Sequence, residues 1–257
     1  MLRAMIMCAF ALGSAPARGQ SPNIQVIPKP RQVNVGDGRF EVGRDTRIVL
    51  ADNNSVEDRF AAQDLIDDLK ATANFALSIG KGKPRRQIVI GRIELPSITQ
   101  ALRRNGAEPP ATLNDEGYVL LVSPHEVVVA GRTTAGTFYG LQTLKQLVRG
   151  EEVGAFIPSV KIIDWPTMRW RGVSDDISRG PVPTVDYIKR QIRTEAFFKL
   201  NMHSFYMEHT FASESNPLIG PAGGSLTPAE IRELVAYAQR YHVELVPEAV
   251  CQAGVRS

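Results

Sequence analysis

The chain has 257 residues, 43% hydrophobic and 22% charged, with 17 Pro and 21 Gly spread along it. This excludes collagen-like, mucin-like and mostly disordered chains and leaves a globular protein, one large domain or two modest ones, able to bury a core. The net charge of +3 calls for no nucleic-acid partner, and the densest basic cluster (Lys81, Lys83, Arg85, Arg86) reads as a solvated turn rather than a phosphate site.

Taken in chain order, residues 1–17 are predicted to be a signal peptide. Arg3 supplies the positive start, Ala4 to Leu12 the apolar run, and Ala15-Pro16-Ala17 the small residues before cleavage. The expected location is therefore exported, periplasmic or extracellular. A start codon called upstream of the true one is the other reading. The run is too short for a membrane span, which needs roughly 20 apolar residues, and no later segment approaches that length without charges. Cleavage would remove Cys8 and leave Cys251 as a lone thiol, so no intrachain disulfide is expected. His125, His203, His209 and His242 fall in no metal-ligand spacing, and no metal or organic cofactor is implied.

From 22 to 163 the pattern mixes strands and helices. Arg47–Leu50, Gln87–Gly91, Tyr118–Val122 and Val127–Ala130 are short β-branched runs, and Ser123–Glu126 reads as a hairpin turn. A helix over Ser55–Ala71 puts Phe60, Ala61, Leu65, Ile66 and Leu69 inward and Glu57, Asp58, Asp67 and Asp68 outward. A second helix runs over Thr134–Val148. The expectation is a small α+β unit, a sheet with helices on one face, without the makings of an active site.

The pattern changes past Asp164-Trp165-Pro166, so residues 164–257 are taken as a second domain. Arg171–Ile177, Leu200–Met207 and Val243–Pro247 read as strands. Helices are expected from Val185 to Phe198 and from Thr227 to about Tyr241, the latter with Ile231, Leu234, Val235 and Ala238 inward. Thr227-Pro228-Ala229-Glu230 spells a capping box with Pro at the first helical position. A β-α-β-α-β order implies parallel strands with right-handed crossovers, so the fold class is α/β. A doubly wound sheet and the opening of a (β/α)8 TIM barrel both fit, although no GxGxxG follows a strand.

Chemistry on such a sheet belongs at the C-terminal strand ends. Those ends carry Asp175, Asp176, Ser178 and Arg179, then Tyr206, Glu208 and His209, then Glu248. Acids, an Arg and a His on one rim suit sugars, whose vicinal hydroxyls take forked hydrogen bonds. Asp176, Arg179, Glu208, His209 and Glu248 are the candidate substrate-binding residues. The competing reading of Asp176 and Arg179 is an ion pair that only holds the strand–helix turn.

The segment Trp170-Arg-Gly-Val-Ser-Asp-Asp-Ile-Ser-Arg179 resembles the first barrel strand of glycoside hydrolase family 20, the β-N-acetylhexosaminidases, and Lys199-Leu-Asn201 is similar to the entry to its second. Ile27-Pro-Lys-Pro30, Gly136-Thr-Phe-Tyr-Gly-Leu-Gln-Thr-Leu144 and Asp164-Trp-Pro166 resemble its N-terminal accessory domain and junction. The resemblance implies an accessory domain over 22–163, then the first β-α-β-α-β portion of a TIM barrel over 164–257. It also implies a partner: a glycan or oligosaccharide with a terminal N-acetylhexosamine. Arg179 matches the arginine that grips that sugar's hydroxyls, and Asp176 the aspartate expected to orient it.

Catalysis in this family is substrate-assisted: the 2-acetamido oxygen attacks the anomeric carbon, a Glu protonates the leaving oxygen, and the Asp before it orients the acetamido group. That pair is expected at the end of a fourth strand. The chain stops after the third, and its one Asp-Glu dipeptide, Asp115-Glu116, precedes Tyr118. No catalytic residue is assigned, and the polypeptide is expected to be a truncated, inactive hydrolase. His209 stands where one subgroup carries Asp, and the sequence after Glu248 departs from the family. The alternatives are another barrel glycosidase with the same accessory domain (α-glucuronidase or O-GlcNAc hydrolase type) and a non-catalytic carbohydrate-binding protein. Oligomeric state, linkage and the choice between GlcNAc and GalNAc stay open.

Overall fold

A computed structural model describes residues 24–73, 76–80, 85–150, 154–216, 218–220 and 223–248. The expected signal at 1–17, both cysteines and residues 81–84 of the basic turn lie outside them.

The first part of the chain builds a mixed sheet from β1 (Gln32–Val42), β2 (Thr46–Leu50), β3 (Ser78–Ile79), β4 (Arg86–Arg92), β5 (Tyr118–Val122), β6 (Glu126–Gly131), β7 (Arg149–Gly150) and β8 (Ala155–Asp164). Its order is β1-β8-β5-β6-β4-β2-β3, with β7 beside β8. The strands β3, β2, β4 and β6 run parallel, whereas β5 and β8 pair antiparallel with their neighbours. The turn at Ser123–Glu126 is the expected hairpin, closed by Ser123 N–H donating to Glu126 O at 3.0 Å.

Helices cover both faces of this sheet, not one. Ile88, Ile90, Leu120, Val127 and Val129 pack under α1 (Val56–Ala73) and α3 (Thr134–Leu147). The alternate residues Val89, Val119, Leu121, Val128 and Ala130 pack under α2 (Pro96–Arg104). A strand sends successive side chains to opposite faces, so continuous apolar runs such as Tyr118–Val122 require cover on both sides. Helix α2 supplies the second cover with Ile98, Ala101 and Leu102, spaced for one helical face. Asp58, read as an outward residue of α1, is fully buried. It lies in the first turn, where its N–H donates to the Ser55 hydroxyl at 3.1 Å, and it faces Arg92 at the end of β4.

The second part is β9 (Gly172–Asp176), α4 (Val185–Phe197), β10 (Met202–Tyr206), α5 (Pro228–Arg240) and β11 (Glu244–Glu248), with all three strands parallel in the order β11-β10-β9. The Thr184 hydroxyl caps α4, and the full capping box forms at Thr227 and Glu230 of α5. Ile188, Ile192 and Ala196 of α4 and Leu234 and Ala238 of α5 are buried. Val235, expected inward, is instead 37% exposed. It follows Leu234 by about 100° around the helix, which carries it off the buried stripe.

One apolar core runs from the first sheet into the second, through Phe138, Tyr139 and Tyr241 to Ile192, Phe205 and Leu234. Phe60 and Phe138 meet Tyr241 edge-on at 5.0 and 6.1 Å. A polar clasp flanks this core. Arg171 pairs with Glu116 at 2.6 Å and donates to Lys199 O at 2.9 Å, while Asn201 donates to Glu116 Oε1 at 3.0 Å. Glu116, half of the one Asp-Glu dipeptide, is thus spent on holding the two sheets together. No helix among the described residues is long and apolar enough to cross a membrane.

Candidate functional site

The parallel register sets Asp176, Tyr206 and Glu248 side by side at the C-terminal ends of β9, β10 and β11. Alternation then divides each strand. His203 and Phe205 turn toward the helices and are buried, and Asp175 turns there too, accepting from Gln191 Nε2 at 3.1 Å. Ser174, Asp176, Ser204, Tyr206 and Glu248 share the opposite face by the same alternation. At its C-terminal end that face is polar, as expected of a surface that meets a hydroxylated ligand, whereas Met202 and Val246 lie on it further back.

Arg179 sits on the loop between β9 and α4. Its Nη1 donates to Asp176 Oδ2 at 2.5 Å. The other Asp176 oxygen accepts from Ser178 N at 3.0 Å and Ser178 Oγ at 2.7 Å. The Ser178 hydroxyl, the Ser178 N–H and Arg179 together hold the Asp176 carboxyl below its ordinary range, and Asp176 raises the Arg179 guanidinium in turn. The pair is fully charged at neutral pH. Arg179 Nη2 lies 3.9 Å from Glu208 Oε1. The rim is open: the Arg179 side chain is 68% exposed, Asp176 37% and Glu208 36%.

Three of the five sequence-predicted residues therefore converge: Asp176, Arg179 and Glu208. Glu248 stands apart on the same face, its Oε1 accepting from Ser174 Oγ at 3.2 Å and more closely from Ser204 Oγ. His209 is exposed and joins no hydrogen bond or ion pair of its side chain among the described residues. Tyr206, at this strand end, is not among the residues that the sequence marks as substrate-binding. Its ring lies 5.2 Å from the Arg179 guanidinium carbon, and its hydroxyl donates to Glu208 Oε1 at 2.5 Å. An aromatic residue one position beyond Phe205, on the ligand-facing parity, was the available signal. Among the described residues no group of three or more His, Cys, Asp or Glu could hold a metal ion. A separate cavity of about 320 Å3, lined by Tyr118, Tyr139, Trp165, Arg171 and Lys199, opens at the sheet junction. It lies at the N-terminal side of β9 and β10, away from the rim.

The arrangement can donate from a fixed guanidinium and accept at two carboxylates, with an aromatic ring alongside. That suits a neutral polyhydroxylated ligand.

Residues 23–165 match the family model of glycosyl hydrolase family 20, domain 2. A β-hexosaminidase of Porphyromonas gingivalis is 29% identical over 88% of this chain and 30% of its own length. A β-N-acetylhexosaminidase of Cellulomonas fimi is 28% identical over 88% of this chain and 46% of its own. Among solved structures, a family 20 β-N-acetylhexosaminidase of Streptomyces coelicolor superposes with a TM-score of 0.72 at 28% identity, covering 88% of this chain and 46% of that one. A Streptomyces plicatus N-acetyl-β-hexosaminidase in complex with Thio-NAglucal gives 0.71 at 28% identity, covering 91% and 47%. The chain spans less than half the length of these relatives.

Proposed function

The chain belongs to glycoside hydrolase family 20, and on that premise we propose that its rim is the sugar-hydroxyl-gripping side of a β-N-acetylhexosaminidase active site. The observation that carries the reading is the Asp176–Arg179 pair: a charged guanidinium oriented just past the end of a parallel strand, its Nη2 3.9 Å from Glu208 Oε1. Arg179 would donate to hydroxyls of a terminal N-acetylhexosamine. Asp176 would fix its direction, and Glu208 would accept from a neighbouring hydroxyl. Glu248, on the same face, would face the sugar across the sheet; His209 would reach it only from the loop.

In this reading β9 to β11 are the first three strands of a TIM barrel, and the domain boundary falls near Asp164. Two features support it. The strands are parallel with helical crossovers, and both β9 and β11 pair only with β10 among the described residues. The polar face would then be the inner, site-bearing end of the barrel. Similarity to β-hexosaminidases over 88% of the chain, past the accessory domain, favours family 20 over the α-glucuronidase and O-GlcNAc hydrolase readings. Export through residues 1–17 is part of the proposal, and the N-terminal sequence of secreted protein would test it.

Substrate-assisted hydrolysis needs an Asp-Glu pair beside the anomeric carbon. No described strand end of β9 to β11 carries one. The 257-residue polypeptide is therefore expected to bind N-acetylglucosamine weakly and not to turn over an aryl N-acetyl-β-glucosaminide. Saturation-transfer NMR with N-acetylglucosamine tests this. The signal should be present for the parent chain and lost in Arg179→Ala. An equal signal from both would remove Arg179 from the site.

A further inference from the structure

We propose that Tyr206 is a positioning residue that holds Arg179 and Glu208 apart as a matched donor and acceptor for two adjacent sugar hydroxyls; this rests on the sugar-binding reading above. The problem it solves is electrostatic. A carboxylate beside a guanidinium ordinarily closes to a short, charge-assisted contact of about 2.7–2.9 Å. Such closure would take Arg179 Nη2, the donor that the Asp176 contact through Nη1 leaves over, away from a ligand. Here Glu208 Oε1 instead takes the Tyr206 hydroxyl at 2.5 Å and stays 3.9 Å from Arg179 Nη2. Both contacts use Oε1. Glu208 Oε2 has no hydrogen-bond or ion-pair partner among the described residues.

The backbone independently marks Glu208. Its φ is +45°, in the left-handed region that a residue with a Cβ rarely occupies. Such conformations persist where the surroundings hold them, often at ligand sites. The turn keeps Glu208 beside Tyr206, two residues back on the end of β10. The Tyr206 ring lies beside the guanidinium, 5.2 Å from its central carbon, so one side chain contacts both partners. A sugar hydroxyl both donates and accepts. One hydroxyl can accept from Arg179 Nη2 while its neighbour donates to Glu208 Oε2, and a ligand without that hydroxyl leaves one of the two groups unmatched.

The test uses the 257-residue chain with N-acetylglucosamine as probe and NMR titration as readout. Tyr206→Phe and Glu208→Gln should each weaken binding about fivefold, the worth of one hydrogen bond. The double variant should lose no more than the larger single loss, because the two act as one unit. Melting temperatures should stay at the parent value. A spectroscopic readout separates positioning from mere structure. The Tyr206 phenol, labelled at Cζ, should titrate above its ordinary range because Glu208 accepts its proton, and should fall back in Glu208→Gln. Binding that needs Arg179 but stays within about twofold of the parent in Tyr206→Phe overturns this proposal alone. Additive losses in the double variant, or an unmoved phenol titration, do the same. No binding to the parent chain overturns the sugar reading itself, and the hydroxyl-matching role with it.

Discussion

Lys199 Nζ lies 3.0 Å from Asp164 Oδ2, and the two join the sheets from opposite sides of their boundary: Asp164 ends β8, and Lys199 leads into β10. The other two ammonium donors reach Tyr118 OH at 2.9 Å and Thr143 Oγ1 at 3.0 Å. With 8% of its side chain exposed, Lys199 is out of water, and burial pushes its pKa down against the pull of Asp164. All three of its protons are matched, so the cluster fixes how the sheets meet.

Lys199→Met should therefore be costly. It leaves the Asp164 carboxylate, still hydrogen-bonded by Tyr118 OH and Arg31 N–H, without its counter-charge and removes a partner from the Tyr118 and Thr143 hydroxyls, and breaking a buried pair costs about 3–5 kcal/mol. The double variant Lys199→Met with Asp164→Asn should recover much of the loss, because no charge is left buried alone. Urea unfolding of the three proteins checks both. A double variant as unstable as the single one would mean that geometry rather than charge dominates.

Gly136→Ala should destabilise, although Ala is the better helix former by about 1 kcal/mol. A Cβ there would meet Gly117 O at 2.3 Å and Gly131 Cα at 3.2 Å, both rigid backbone. Helix α3 would have to back away from β5 and β6, for a net loss of about 1–3 kcal/mol. Thermal melting is the measurement, and an unchanged transition would contradict the tight packing.

Asp58→Asn should stabilise the protein at pH 7. Asp58 is fully buried, neither carboxylate oxygen has a hydrogen-bond partner among the described residues, and Arg92 approaches only to 3.9 Å. Burial pushes its carboxyl above the ordinary value of 3.8. The sign follows. A folded-state value above the unfolded one favours folding once the group is protonated and costs stability as pH rises through the folded value. The advantage of Asn should be largest at neutral pH and vanish below 3.8, where parent and variant both carry a neutral side chain. Melting curves across pH 3 to 7 read this directly.

Arg179→Ala should leave the melting temperature unchanged while abolishing N-acetylglucosamine binding. The Asp176–Arg179 contact is short but lies on the surface, where ion pairs hold little stability. A clear drop in melting temperature would instead favour the structural ion pair.

Much of this was legible in the sequence where information is local. The Tyr118–Val122 run, the Thr227–Glu230 capping box and the hairpin at Ser123 each carry their own instructions, and the structure follows them. Strand β1 carries none. Its Gln32–Val42 sequence holds two glycines and is mostly exposed, so no alternation shows. It is a strand because β8, more than a hundred residues later, pairs with it. Helix α2 has only nine residues and opens on Pro without an acidic first turn, so the two-sided sheet went unread. At the rim, parallel register made Asp176, Arg179, Glu208 and Glu248 readable as residues at or just past strand ends. The clustering of Glu208 with Tyr206 and Arg179 depends on a left-handed residue that no glycine announces.

The most direct test is to map where N-acetylglucosamine lands on the 15N-labelled 257-residue chain by chemical-shift perturbation. The expected shifts cluster at residues 174–179 and 204–209 and disappear in Arg179→Ala. Shifts confined to the cavity at Tyr139, Trp165 and Arg171, or none at saturating sugar, would contradict the assignment of the rim as the sugar site.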